Sequence, residues 1–203
     1  MSLARVLQKE FYVPVLHWLD WLEDKKRGVN TRQNFELTEL GISSSLGNKY
    51  QPVSYGRLRV VLKLARRMNP KSTFIDVGCG LGRPILVALE LGFQHAIGID
   101  VANELIRSCK KNIGSKSNRV KLFCCDVEDY DFPDGISTIF LFNPFGKDRL
   151  AKLVSKLRSI DSKGLVIYFN PKHHEVFDKR KLVRELKWQN FGLFEEICHF
   201  YRF

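Results

Sequence analysis

Phe74-Ile75-Asp76-Val77-Gly78-Cys79-Gly80-Leu81-Gly82-Arg83-Pro84 is the stretch whose reading decides the fold. Its first residues are mostly apolar and read as the end of a strand. Glycines at alternate positions permit a tight turn and let backbone N–H groups come close to a ligand. Pro84 suits the first turn of a following helix, where its missing N–H costs nothing. Dinucleotide-binding proteins share such a strand-to-helix turn, but their fingerprint is G-x-G-x-x-G and it receives a pyrophosphate at the helix N-terminus. Here the pattern is D-x-G-x-G-x-G. A carboxylate at Asp76 would repel a pyrophosphate and attract an ammonium group.

Outward from this turn the chain alternates. Short apolar strands are expected at Thr73–Val77, Ala96–Ile99, Val120–Cys124, Thr138–Phe142 and Leu165–Phe169. Helices are expected at Pro84–Leu91, Ala102–Asn112 and Lys147–Ile160. Such alternation implies βαβ units and a parallel sheet. Toward the end, Leu182–Trp188 and Leu193–Phe203 flank Asn190-Phe191-Gly192 with no room for a helix, which predicts an antiparallel hairpin. The expected fold class is α/β: a doubly wound, mostly parallel Rossmann-like sheet closed by a C-terminal antiparallel hairpin, with an N-terminal helical extension.

Upstream, Arg57–Met68 reads as a basic amphipathic helix stopped by Asn69 and Pro70. Residues 27–55 are rich in Gly, Asn, Ser and Thr and read as an irregular connection. Residues 1–26 read as helix broken near Pro14, with Leu3, Val6, Leu7 and Phe11 before it. Val15, Leu19 and Leu22 follow at helical spacing, flanked by Trp18 and Trp21. That stripe is expected to pack on its own domain; a membrane or partner face is the alternative. The expected division is residues 1–55 as a helical cap with its connecting segment, and residues 56–203 as one domain.

Two more carboxylates fall just past strand ends. Asp100 ends Ile97-Gly98-Ile99, and Asp126 follows Leu122-Phe123-Cys124-Cys125. With three acidic strand ends in succession, the stretch from about Ser72 to Asn170 resembles the class I S-adenosylmethionine-dependent methyltransferases over roughly half the chain. The resemblance implies S-adenosylmethionine as cofactor. Asp76, Gly78, Cys79, Gly80 and Gly82 would meet its methionine part, Asp100 and Val101 its ribose, and Asp126 and Val127 its adenine. Arg83 would pair with the cofactor's carboxylate or stand solvated at the helix start, and Tyr50 and Ser54 would fold over the cofactor as a lid. More narrowly, Gly28-Val29-Asn30-Thr31, Tyr50-Gln51-Pro52 and the G-x-G-x-G-R run resemble a bacterial branch of unknown substrate that carries aspartate where this chain has Asn30.

The fourth strand ends Phe140-Leu141-Phe142-Asn143-Pro144-Phe145-Gly146, similar to the N/D-P-P-Y/F signature of methyltransferases acting on nitrogen but one proline short. Asn143, Pro144 and Phe145 are therefore the expected catalytic turn: the Asn143 side-chain carbonyl would hold an amine's hydrogens and Phe145 would wall the pocket. Asn170-Pro171 ends the next strand, before Lys172-His173-His174. If those strands are neighbours, His173 or His174 is a candidate general base; surface-loop histidines are the plainer reading. No carboxylate or cysteine stands at ligand spacing from them, so no metal is expected.

The chain has 203 residues, a net charge of +11 and no apolar run of membrane-spanning length. No signal peptide is visible, since Arg5, Lys9 and Glu10 interrupt the apolar residues at the start. Five cysteines, an odd number with no C-x-x-C pair, read as reduced thiols in a cytoplasmic protein. The charge favours an anionic partner, yet it is dispersed through Arg57–Arg67, Lys147–Arg158 and Lys172–Lys187, so nucleic-acid binding is expected to be weak and salt-sensitive. The expected function is methyl transfer to a nitrogen on a protein or small molecule. An RNA- or DNA-directed methyltransferase and a non-catalytic cofactor-binding module are the alternatives, with a nicotinamide oxidoreductase behind them.

Overall fold

The computed structural model describes residues 13–43, 45–48, 50–159, 163–190 and 194–203. Its strands are β1 (Thr73–Val77), β2 (Ala96–Asp100), β3 (Val120–Cys124), β4 (Ser137–Phe142), β5 (Gly164–Phe169), β6 (Leu182–Asn190) and β7 (Phe194–Arg202). They form one sheet in the order β3-β2-β1-β4-β5-β7-β6. The first five are parallel, and β7 runs antiparallel to both β5 and β6. The strand order therefore reverses between β1 and β4, with the strands still parallel, the place where a doubly wound sheet opens a crevice at its carboxyl edge.

Both faces of the central strands are covered, so they carry apolar residues at nearly every position. β5 is buried throughout, Gly164 to Phe169. Leu165, Ile167 and Phe169 enter one core layer with Phe74, Phe140 and Phe200. Val166 and Tyr168 enter the other, with Ile75, Val77, Ile139 and Leu141. That period of two follows from the pleat. The first layer is closed by α2 (Tyr55–Met68), α3 (Arg83–Glu90) and α4 (Asn103–Ile113), the second by α5 (Lys147–Ser159). Ser54 caps α2 by accepting from the Arg57 N–H.

The N-terminal region departs from expectation. α1 (Val13–Arg27) carries Pro14 in its first turn, where its ring is tolerated, and the helix expected before Pro14 falls outside the described residues. The residues before Val13 and the hairpin turn at Phe191 and Gly192 lie outside the described residues. The apolar stripe of α1 does not pack on its own domain: Val15, Trp18, Leu19 and Leu22 are 51%, 56%, 44% and 38% exposed. The helix instead turns Asp20, Glu23 and Asp24 inward, toward arginines on α1, α2 and α3.

Candidate functional site

The cleft opens at the carboxyl ends of β1, β2 and β4, and residues 46–48 and 50–53 roof it. It measures about 840 Å3 counted out to its open mouth. Asp76, Gly78 and Cys79 form one wall and Asp100, Val101 and Val127 another. Pro144, Phe145 and Arg149 stand across from the glycine turn, under Asn48, Tyr50 and Gln51.

The glycine turn needs its glycines for position as much as for flexibility. Gly78 and Gly80 both have positive φ, 77° and 51°. A Cβ on Gly78 would lie 3.2 Å from Pro144 Cβ, and one on Gly80 would collide with the Tyr50 ring. Tyr50 therefore lies flat against the turn, and its hydroxyl donates to the Thr31 carbonyl at 3.1 Å.

Two acids sit beside this turn in different states of satisfaction. Asp100 accepts from the Gly80 N–H at 2.8 Å and the Ala102 N–H at 2.9 Å, one on each oxygen. Burial pushes its pKa up, against those backbone donors. Asp76 is 2% exposed and its Oδ2 has no partner among the described residues. Burial, and then the nearby Asp100 charge, push its carboxyl well above the usual range. A buried carboxylate oxygen without a donor costs free energy, and an ammonium group placed in the cleft would satisfy it. The residues present thus fit a ligand with a cationic amine at the glycine turn and hydroxyls at Asp100.

Several expected residues, Gly80 behind the Tyr50 ring among them, are not on the cleft wall. Arg83 does not face the cleft. Fully buried, it gives Nε to Thr31 Oγ1 at 2.7 Å and Nη1 to Asp20 Oδ2 at 2.6 Å and the Val53 carbonyl at 3.0 Å. Its guanidinium lies 4.5 Å from the Tyr55 ring centroid, and Asp24 is 4.0 Å away. Two carboxylates from α1 outcompete a solvent-facing orientation for that cation. Asp126 is flanked by wall residues Cys125 and Val127 without being in the lining itself; its carboxylate accepts from the Glu128 N–H and pairs with the wall residue Arg149. Gly82 is the N-cap before α3 and packs against Cys109.

The fourth-strand turn is where Asn143 takes φ 42°, and Asn170 ends β5 with φ 52°. Asparagine is among the few side chains that accept this region. β4 and β5 are neighbours, as the two turns require in order to share a rim. Pro144 and Phe145 reach the cleft wall, whereas Asn143 is buried beside it with its side-chain carbonyl accepting from the Tyr168 hydroxyl at 3.3 Å. The backbone carbonyls of Asn143 and Pro144 accept from the Asn48 side-chain amide and N–H at 2.7 and 2.8 Å. Neither His173 nor His174 belongs to the wall: the His173 N–H donates to Tyr168, and the His174 ring meets His199 edge-on. Among the described residues no group of three or more His, Cys, Asp or Glu side chains is placed to hold a metal ion.

Sequence reasoning missed Asp20, Asp24 and Tyr55, and gave Thr31 no role beyond its place in the Gly28–Thr31 resemblance. Asp24 accepts from the Thr31 N–H and hydroxyl, each at 2.7 Å, and from the Tyr55 hydroxyl at 2.6 Å. The signals were the i, i+4 pair of acids on α1 and the Gly28–Thr31 stretch.

Residues 74–164 match the family model described as a methyltransferase domain. A stretch of 80 residues is 39% identical to an uncharacterized protein of Methanocaldococcus jannaschii, covering 39% of this chain and 34% of that one. Another of 69 residues is 29% identical to the ribosomal protein L11 methyltransferase of Lachnoclostridium phytofermentans, covering 34% and 20%. The chain thus spans about a third or less of the length of these curated relatives. Among solved structures, the RNA methyltransferase of Salinibacter ruber in complex with S-adenosyl-L-homocysteine superposes with a TM-score of 0.57 at 17% identity, covering 74% of this chain and 92% of that one.

Proposed function

We propose, from the premise that this chain carries a methyltransferase domain on the class I fold, that it binds S-adenosylmethionine in the cleft and transfers the methyl group to a nitrogen on a protein or a small molecule. One observation carries the cofactor assignment: the buried, unpartnered Asp76 oxygen at the glycine turn. The α-ammonium of a methionine moiety supplies the missing donor, and a pyrophosphate would meet repulsion. Asp100 keeps lone pairs on both oxygens for ribose hydroxyls beyond its two backbone donors. Val101 and Val127 offer apolar walls to a base, and Asp126 shapes that wall through its bond to the Glu128 N–H.

When bound, S-adenosylmethionine supplies a methyl group already activated on a sulfonium. The chain's own task is to align a nucleophile and exclude water. Pro144 and Phe145 bound the acceptor side, and residues 46–48 and 50–53 cover it. The Asn143 carbonyl accepts an amine hydrogen by exchanging its long bond to Tyr168. A protein acceptor is supported by the relatives named for ribosomal protein L11. A second reading, methylation of RNA, is favoured by the net charge of +11 and by the RNA methyltransferase among the structural neighbours.

The test is thermal. S-adenosylmethionine and its demethylated product at about 100 times their Kd raise folding stability by about 2.7 kcal/mol, whereas NAD and ATP do not, and Asp100→Ala removes most of the effect. Stabilisation by NAD alone overturns the cofactor assignment. Labelled cofactor in a cell extract then identifies the acceptor: label in protein or small molecules supports the first reading, and label at one defined position in RNA supports the second.

A further inference from the structure

An amphipathic helix on a globular protein ordinarily buries its apolar face. α1 does the reverse. Asp20, Glu23, Asp24 and Arg27 lie at i, i+3, i+4 and i+7 and turn inward. Asp20 holds Arg83, Glu23 pairs with Arg59 and Arg27, and Asp24 holds Thr31 and Tyr55. Val15, Trp18, Leu19 and Leu22, at the same spacing on another face, are left to solvent. The inward acids fix the helix rotation, because turning the apolar stripe inward would strip Arg83 of its carboxylates.

We infer that this outward stripe is a docking surface for an anionic lipid headgroup layer. The acids of the helix are consumed by its inward ion pairs, and the charges left on its exposed side are cationic: Lys25 and Lys26 in the last turn are both exposed. Lys25 lies over the Trp21 ring, 4.3 Å from its centroid, so a cation and an aromatic ring share one edge of the stripe. Tryptophan, leucine and valine flanked by lysine suit a helix lying in the plane of a membrane interface, with its apolar side chains at the acyl boundary and its lysines among anionic headgroups. No helix of the described residues is long and apolar enough to cross a membrane, and the proposed contact lies in the plane of the interface. The net charge of +11 adds attraction to the same surface. A protein partner or a second copy would have to match an apolar stripe edged by lysines with acids of its own, and the described exposed face of α1 provides none for self-pairing.

The experiment is vesicle co-sedimentation of the full chain at low salt. Vesicles of phosphatidylcholine with about a quarter phosphatidylglycerol are compared with phosphatidylcholine alone. Binding is expected only to the anionic vesicles. Trp18→Ser combined with Leu22→Ser removes no charge, so a loss of about tenfold or more in partitioning isolates the stripe from the bulk charge. Lys25→Glu combined with Lys26→Glu is expected to weaken binding as well. Equal binding by wild type and the stripe variant overturns the inference. So does a stripe variant whose melting temperature falls by several degrees, since the stripe is then covered within the chain. A dimer in light scattering that the stripe variant disperses, without vesicle binding, overturns it in favour of a second copy.

Discussion

The side-chain amide of Asn48 donates to the backbone carbonyl of Asn143 at 2.7 Å, and its own N–H reaches the carbonyl of Pro144 at 2.8 Å. The roof over the cleft is therefore pinned to the turn that walls the acceptor side. At its other end Tyr50 is pinned to Thr31 and lies against the glycine turn. Asn48→Ala is expected to free the roof at the acceptor end, costing about 1 kcal/mol of stability. Limited proteolysis within residues 46–53 should quicken, and bound S-adenosylhomocysteine should suppress that cleavage less well than in the wild type. Unchanged cleavage would mean that Asn48 does not hold the roof.

Asp76 makes cofactor binding pH-dependent in a stated direction. Its folded pKa is raised, so without ligand its contribution to stability is complete at low pH and is lost as pH rises through that raised value. An ammonium partner reverses the preference and favours the ionised carboxylate. Binding should therefore strengthen as pH rises through the pKa of the ligand-free protein, and it should release a proton below that point. Calorimetry in buffers of different ionisation enthalpy reads the proton directly. Asp76→Asn should abolish the release and weaken binding about tenfold or more. The same proton release from that variant would place its source elsewhere.

Arg83→Met tests the buried network. The substitution keeps an unbranched side chain but leaves Asp24, nearly fully buried, and Asp20 without their cation. Breaking one side of a buried pair costs on the order of 3–5 kcal/mol. Urea unfolding should show that loss. Asp20→Asn and Asp24→Asn should each restore part of it in the Arg83→Met background, because the orphaned charge is removed. Losses that simply add would show that the residues are not coupled.

Asn143 has two separable properties, its left-handed backbone and its side-chain carbonyl. Asn143→Gly keeps the first and removes the second, whereas Asn143→Ala removes both. If the carbonyl aligns the acceptor, both variants lose about 10²-fold in turnover, while S-adenosylhomocysteine still raises the melting temperature. Full turnover by Asn143→Gly would reduce the residue to a backbone role.

The sheet was legible because its central strands, buried on both faces, carry unbroken apolar runs such as Leu165–Phe169 between helices of clear periodicity. Asp76 and Asp100 were legible for the same reason, since strand ends fix the cleft. Arg83 was misread because its partners lie in α1, far away in sequence, and local pattern carries no information about that pairing. The α1 stripe was misread through a related gap. Periodicity reveals that a helix has two faces, but a buried cation elsewhere decides which face turns inward. Asn143 was placed at the right turn, yet its bond to Tyr168 depends on the register of β4 against β5.

The Arg83 network also bears on the order in which the molecule can mature during synthesis. Asp20 emerges from the ribosome 63 residues ahead of the arginine that neutralises it, and chains elongate vectorially from the N-terminus. Until Arg83 arrives, Asp20 lacks its cation, although Arg27 and Arg59 already compensate Glu23. Docking of α1 therefore waits for Arg83, and the glycine turn and α1 reach their final arrangement together.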